Sequence, residues 1–286
     1  MKVLVTGARG QLGHELVKHA PSDFDVRGYA REELDIVDYA RVLERVYLER
    51  PDWIVNAAAY SLVDKAEAEP EEARLINVEG AANLAKAAKL YGARLVHVST
   101  DFIFDGRQGH PYQPNDPANP LSVYGRTKLD GEREVQRILG DDTLLIRTAW
   151  VYSTHGRNFV KTMIKLMHER DVLRVVVDQV GTPTCAAELA RVLYRTMRAD
   201  LRGIYHWTDA GVASWYDFAQ AILELGLANG LFDRPVRIEP IPSEAYPLPA
   251  RRPHYSVLDK DSLRAAIDYP GLYWRDALRN MLQEYL

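Results

Sequence analysis

Short apolar runs rich in valine and isoleucine, at Lys2–Thr6, Asp25–Tyr29, Trp53–Asn56, Arg94–Val98 and Thr143–Arg147, alternate with segments of helical period such as Gln11–His19, Glu71–Leu90 and Val123–Leu139. Runs of this kind read as strands buried on both faces. Their alternation with helices predicts repeated βαβ units and a parallel sheet covered on both sides. The first half is therefore expected to form a Rossmann-type, doubly wound α/β fold. After about Trp150 the pattern loosens, and prolines and aromatics gather in Phe232–Pro253, as they do earlier in Gly109–Pro120. Loops of that length in a compact chain are usually functional or disordered, and the aromatic content predicts substrate lids. The expected division is a dinucleotide-binding domain over residues 1–150, joined by later segments around 175–207, and a smaller, partly discontinuous substrate-binding domain over most of 151–286. No internal repeat or low-complexity segment interrupts this pattern.

The length of 286 residues leaves room for a cofactor fold plus a substrate module. Hydrophobic residues at 47% and charged residues at 27% predict a chain folded throughout. A net charge of −4, with lysines and arginines scattered, gives no general attraction to nucleic acid. Cys185 is the only cysteine, which rules out an intramolecular disulfide or a cysteine-based metal cluster and fits a reducing compartment. The first residues enter an apolar strand at once, and no run approaches membrane-spanning length. The expectation is a cytoplasmic protein with no membrane partner.

The first strand runs into Thr6-Gly7-Ala8-Arg9-Gly10-Gln11-Leu12-Gly13, after which a helix begins. Glycines so placed allow a tight turn, let the backbone approach a pyrophosphate and let helix and strand pack closely, while the helix N-terminus supplies amide donors and positive dipole. Gly7, Gly10, Gln11, Leu12 and Gly13 are the expected cradle, with spacing GxxGxxG. Many dinucleotide folds end the second strand in an acid that accepts the ribose 2′-hydroxyl. Here that strand ends Gly28-Tyr29-Ala30-Arg31. Arg31 can pair with a 2′-phosphate, which favours NADP(H) and leaves NAD(H) possible. Asp35, Ile36 and the run Ala57, Ala58, Ala59 fall at strand ends on the same carboxyl edge, where small residues let adenine and ribose lie close to the backbone.

Within the helix opened by Ser122, Tyr124 and Lys128 stand four apart and share one face. That spacing lets the ammonium lower the phenol's pKa and bond a cofactor ribose hydroxyl, so that the tyrosine can hand its proton to a carbonyl oxygen as hydride arrives at the carbon. The run after the fourth strand, Ser99-Thr100-Asp101, puts a hydroxyl at the edge where ligands bind in open α/β sheets. Thr100 can bond the same carbonyl oxygen. His97, Glu15 and Glu188 form no ligand cluster legible from spacing, and no metal is expected.

With these pieces in order, the chain resembles the extended short-chain dehydrogenase/reductases, and among them the branch that reduces dTDP-linked 4-keto-6-deoxysugars. The resemblance spans nearly the whole chain, through GARGQLG at 7–13, NAAAYSLVDKAE at 56–67, STDFIFDG at 99–106, YGRTK at 124–128, RTAWVYS at 147–153, NFVKTM at 158–163, DQVGTPT at 178–184, GIYHWTD at 203–209, SWYDFA at 214–219 and PARRPHYSVLD at 249–259. It implies catalytic roles for Thr100, Tyr124 and Lys128, and a sugar-nucleotide site that takes in Thr100, Asp101, Phe102, Trp150, Gln179 and Arg252. It further implies NADPH-dependent reduction of dTDP-6-deoxy-L-lyxo-4-hexulose at C4 to dTDP-L-rhamnose, and a possible homodimer. Physically, a nucleoside diphosphate needs cationic donors and a sugar ring needs an aromatic wall and polar anchors. Arg147, Arg252, Trp150 and Gln179 can supply them, whereas Trp215 and Tyr216 read as the buried face of a helix.

Two rival readings share the scaffold. Sugar-nucleotide dehydratases carry Thr-Asp-Glu where this chain has Thr100-Asp101-Phe102, so the second acid that water elimination uses is missing here. The β subunit of methionine adenosyltransferase resembles the same reductases and uses the scaffold for binding; an intact Thr100, Tyr124 and Lys128 argues against such a regulatory role.

Overall fold

The computed structural model describes residues 1–286. All five expected strands form: β1 (Lys2–Thr6), β2 (Asp25–Tyr29), β3 (Trp53–Asn56), β4 (Arg94–Thr100) and β5 (Thr143–Thr148). Val172–Val176 forms β6, Gly203–His206 forms β7 and Arg237–Ile241 forms β8. The main sheet has six strands in the order β7-β5-β4-β3-β1-β2, and every pairing is parallel. Strand order reverses between β1 and β3, so a crevice opens at their carboxyl ends.

Each face of the sheet carries its own core. On one side, α1 (Gln11–Lys18) and α6 (Ala186–Arg198) cover Val3, Val5, Val96 and Leu144. On the other, α2 (Tyr39–Glu49), α3 (Ala81–Tyr91) and α4 (Val123–Leu139) cover Leu4, Ile54, Leu95 and Leu145. Val5, Leu95 and Leu144 have no exposed surface, and full burial of each such side chain stabilises by roughly 1.5–3 kcal/mol. A third core of 23 buried residues gathers α5 (Phe159–Glu169), α7 (Trp215–Ala228), α8 (Trp274–Tyr285) and the parallel pair β6–β8. Although α6 and β7 come late in the chain, they pack with the sheet rather than with this third core.

The structure departs from the sequence reading at two places. The single helical period over Glu71–Leu90 resolves into a short helix (Pro70–Arg74), a π-helical turn (Leu75–Gly80) and α3. At that turn Asn77 bonds the Tyr60 amide and carbonyl and the Thr127 hydroxyl. A Cβ on Gly131 of α4 would stand 2.1 Å from the Asn77 carbonyl oxygen. The widened turn lies where α4 crosses closely at Gly131. The proline- and aromatic-rich stretches, expected to be substrate lids, are packed away from the crevice lining in this structure. Tyr112 of the first is buried, stacked on Phe104, and the Pro114 carbonyl accepts a bond from Arg147. Part of the second stretch is β8, Arg237–Ile241. Neither lines the crevice. No helix is long and apolar enough to cross a membrane.

Candidate active site

A cleft of about 670 Å³ runs along the carboxyl edge of the sheet. At one end is the glycine turn. Gly7 has φ +69, and a Cβ there would lie 2.8 Å from the Ala58 backbone; a Cβ on Gly13 would lie 2.2 Å from the Gly7 carbonyl oxygen. Gly7, Gly10, Gln11 and Leu12 line the cleft, while Gly13 lies behind it and lets α1 seat against the turn. Arg31, Asp35, Ile36, Ala57, Ala58 and Ala59 line the same end. Arg31 is already engaged, 3.5 Å from Asp35 and 3.6 Å from Glu72.

At the other end are Thr100, Asp101, Phe102, Tyr124 and Lys128, with Trp150 beside them. Ser122 caps α4 by accepting from the Gly125 amide. A Cβ on Gly125 would stand 2.2 Å from the Phe102 carbonyl oxygen, so only glycine lets the start of α4 close on the loop after β4. That contact brings the Tyr124 ring edge-on to Phe102, with centroids 5.5 Å apart. One turn on, Lys128 is buried and its Nζ donates to the Val98 carbonyl at 2.7 Å. The Thr100 hydroxyl accepts from the Phe102 amide at 3.2 Å and donates to Asp101 at 3.1 Å.

Burial shifts the titratable groups of this end in opposite directions. Burial pushes the Tyr124 phenol up to about 12, against a smaller pull downward from the Thr100 hydroxyl. Lys128 is itself driven down to about 8 by its own burial, with the Glu132 carboxylate partly offsetting that. Burial likewise raises Asp101 to about 6.

Trp150 has φ +49, rare for a bulky residue and a mark of strain held by its surroundings. Its ring stacks on Trp215 at 3.6 Å. Trp215, as expected, packs against the third core. Three cationic or amide candidates are not brought into the cleft. Arg147 is buried in a fork on Glu132 at 2.8–3.2 Å, with a further bond to the Pro114 carbonyl, so it cannot also grip a diphosphate. Arg252 holds Asp64 at 3.0 and 2.6 Å. Gln179 donates to Ser243 at 2.9 Å. His97 pairs with Asn56, Glu15 with Ser153 and His19, and Glu188 with Arg191 and Tyr269.

The sequence reading missed Arg157, Asn158 and Ser61–Val63, all of which line the cleft. Asn158 and Ser61–Val63 fell inside recognised segments without an assigned role; Arg157 carried no signal beyond a cation next to a glycine. The donor set fits a dinucleotide: the glycine cradle admits no side chain, and the buried Ser99 and Thr148 hydroxyls line the cleft without a protein partner.

A parallel-sheet cleft with a glycine turn at one end and a hydroxyl, tyrosine and lysine at the other defines a nicotinamide-dependent reductase of the short-chain type. The chain belongs to the dTDP-4-dehydrorhamnose reductase family, whose RmlD substrate binding domain matches residues 1–286. It is 42% identical over 302 residues to the dTDP-4-dehydrorhamnose reductase of Burkholderia thailandensis, covering 100% of this chain and 99% of that one. It is 40% identical to the dTDP-4-keto-6-deoxy-D-glucose reductase of Streptomyces niveus, covering 96% of this chain and 94% of that one. The crystal structure of the Bacillus anthracis dTDP-4-dehydrorhamnose reductase in complex with NADP superposes with a TM-score of 0.92 at 35% identity, over 99% of each chain.

Proposed function

We propose that this chain uses NADPH to reduce the 4-keto group of dTDP-6-deoxy-L-lyxo-4-hexulose, giving dTDP-L-rhamnose, with Thr100, Tyr124 and Lys128 as its catalytic residues. The observation that carries the reading is the placement of those three at one end of the cleft that has the glycine turn at its other end. Bound NADPH supplies the hydride. Gly7, Gly10, Gln11 and Leu12 hold its diphosphate, Ala57–Ala59, Asp35 and Ile36 its adenosine, and Arg31 its 2′-phosphate.

Tyr124 keeps its proton at neutral pH, since burial holds the phenol up to about 12. It can therefore give that proton to the carbonyl oxygen as negative charge develops there. Thr100, whose oxygen is held by the Phe102 amide, turns its proton from Asp101 to the same oxygen. The Lys128 ammonium, one helical turn from the phenol, stabilises the phenolate that is left and reaches a ribose hydroxyl. Trp150 and Phe102 form the apolar wall for the sugar ring. Phe102 cannot move a proton where the dehydratases have an acid, so the site is equipped for ketone reduction and not for water elimination. Asp64 and Ser243 engage Arg252 and Gln179, so we assign those two residues to holding the 249–253 and 178–184 segments in place.

Incubation with NADPH and the 4-keto sugar nucleotide, followed by chromatography of the product, tests the reading. Cofactor oxidation and dTDP-L-rhamnose are expected. A different sugar as product moves the substrate to another dTDP-linked 4-keto-6-deoxysugar, a reading favoured by the nearly equal similarity of the Streptomyces niveus enzyme, 40% against 42%. No oxidation with any such ketone overturns the reductase and points to a non-catalytic role. We place the enzyme in the cytoplasm as a homodimer, to be checked by fractionation and sedimentation.

A further inference from the structure

Four cationic side chains line the cleft, and three of them are already engaged. Arg9 pairs with Glu32 at 2.9 Å, Arg31 with Asp35 and Glu72, and Lys128 with the Val98 carbonyl. Arg157 is exposed and lines the cleft with no hydrogen-bond or ion-pair partner. Its position is nonetheless set from both sides. The preceding loop is tied to the glycine turn by His155, whose Nε2 donates to the Arg9 carbonyl at 3.0 Å and whose ring stacks on His14 at 4.0 Å. On the other side, Asn158 donates to the Gln11 side-chain oxygen at 2.9 Å and caps α5 by accepting from Lys161. Gln11 completes the clasp by donating to the Val151 carbonyl at 3.3 Å. Gly156 makes the close approach possible: its φ is +74, and a Cβ there would meet the Gln11 side chain at 3.3 Å.

We propose that Arg157, carried on a loop clasped to residues 9–11, grips the diphosphate of the dinucleotide from the side opposite the α1 amides. This rests on the reading of the cleft as a dinucleotide site. The helix N-terminus supplies amide hydrogens and partial charge but no full cation, and the neighbouring Arg9 is shared with a carboxylate. A guanidinium with five free donors matches two phosphate oxygens at once. The arrangement also gives the Gln11 side chain a second job beside the backbone's place in the cradle, since its amide bonds to the loop at both ends.

Direct titration of NADPH, NADH and dTDP binding, without turnover, separates this proposal from the identity of the ketone. Arg157→Ala is expected to weaken NADPH and NADH by the same factor, roughly tenfold to a hundredfold as for loss of a charge-assisted bond, and to leave dTDP binding and thermal stability unchanged. Arg157→Lys should restore part of the loss, and the salt dependence of NADPH binding should flatten in the alanine variant. Weakening of NADPH alone would assign Arg157 to the 2′-phosphate; weakening of dTDP alone would assign it to the sugar nucleotide. Either result, or unchanged binding of all three, overturns the proposal.

Discussion

On the sheet side of the cleft, Thr100, Asp101 and Lys128 are buried, and each is held by a partner within a few residues of a strand end. On the side of the third core, Trp150 and Arg157 are presented by loops and stand half-buried or exposed. The first arrangement shifts titration by desolvation, Asp101 up to about 6 and Lys128 down to about 8, so that both titrate nearer to neutral pH than they do in water. The second leaves groups free to meet a charged or planar ligand. On this account, substitutions on the sheet side should change the chemical step, and substitutions on the loop side should change binding.

The largest effect expected is from Tyr124→Phe, which keeps the ring against Phe102 but removes the proton. Turnover should fall by roughly 10²–10⁴-fold, the usual range for loss of a general acid, with NADPH affinity little altered in a fluorescence titration. Near-normal turnover would show that the acid is another residue.

Next is Arg147→Ala, which marks the boundary of the comparison, because this arginine sits at a strand end yet serves packing only. Its removal strands the buried Glu132 carboxylate and the Pro114 carbonyl. Breaking such a pair costs about 3–5 kcal/mol, to be read from urea unfolding. A loss comparable with that of an exposed ion pair would mean that Glu132 is reached by water.

The pH dependence is expected to be smaller. Lys128 is charged below about 8 and neutral above it, so kcat/KM should fall as pH rises through that value, by about tenfold per unit beyond it. Stability should move the other way. With a folded pKa of about 8 against the ordinary 10.5, the unfolded chain holds more protons between those values, and this lysine favours folding as pH rises across that window. An alkaline limb that persists in Lys128→Met would trace to another group.

Smallest is Arg31→Ala. The guanidinium is 65% exposed and shared between Asp35 and Glu72, so the NADPH preference over NADH should narrow by only a few-fold, as befits a solvated charge. Unchanged dissociation constants for both cofactors would make Arg31 a bystander.

How much of this was legible beforehand follows from how far apart the partners lie in sequence. The five strands, the glycine turn and the Tyr124–Lys128 face depend on spacings of two to seven residues, and helical and strand periods express those directly. Strand-end chemistry at Thr100 and Asp101 follows once a parallel sheet is accepted, because its carboxyl edge is where ligands bind. The role of Arg147 could not be read this way. An arginine at a strand end suits a diphosphate as well as a carboxylate, and only the packing of α4 shows that Glu132 takes it first. Likewise Asp64 and Arg252, 188 positions apart, carry no mutual signal in their neighbourhoods.

By itself, then, the order of residues determined the doubly wound sheet, the place of the cofactor turn and the tyrosine–lysine pair, because each is encoded in contiguous periodicity and local backbone freedom. Tertiary structure alone decided that α4 crosses closely at Gly131 where Leu75–Gly80 forms a π-helical turn, and that Arg147 and Arg252 are bound to carboxylates while Arg157 stays free. The reason is that a charge is neutralised by whichever partner packing brings within about 3–4 Å, and that distance is set by folds of the chain too long for any local pattern to record.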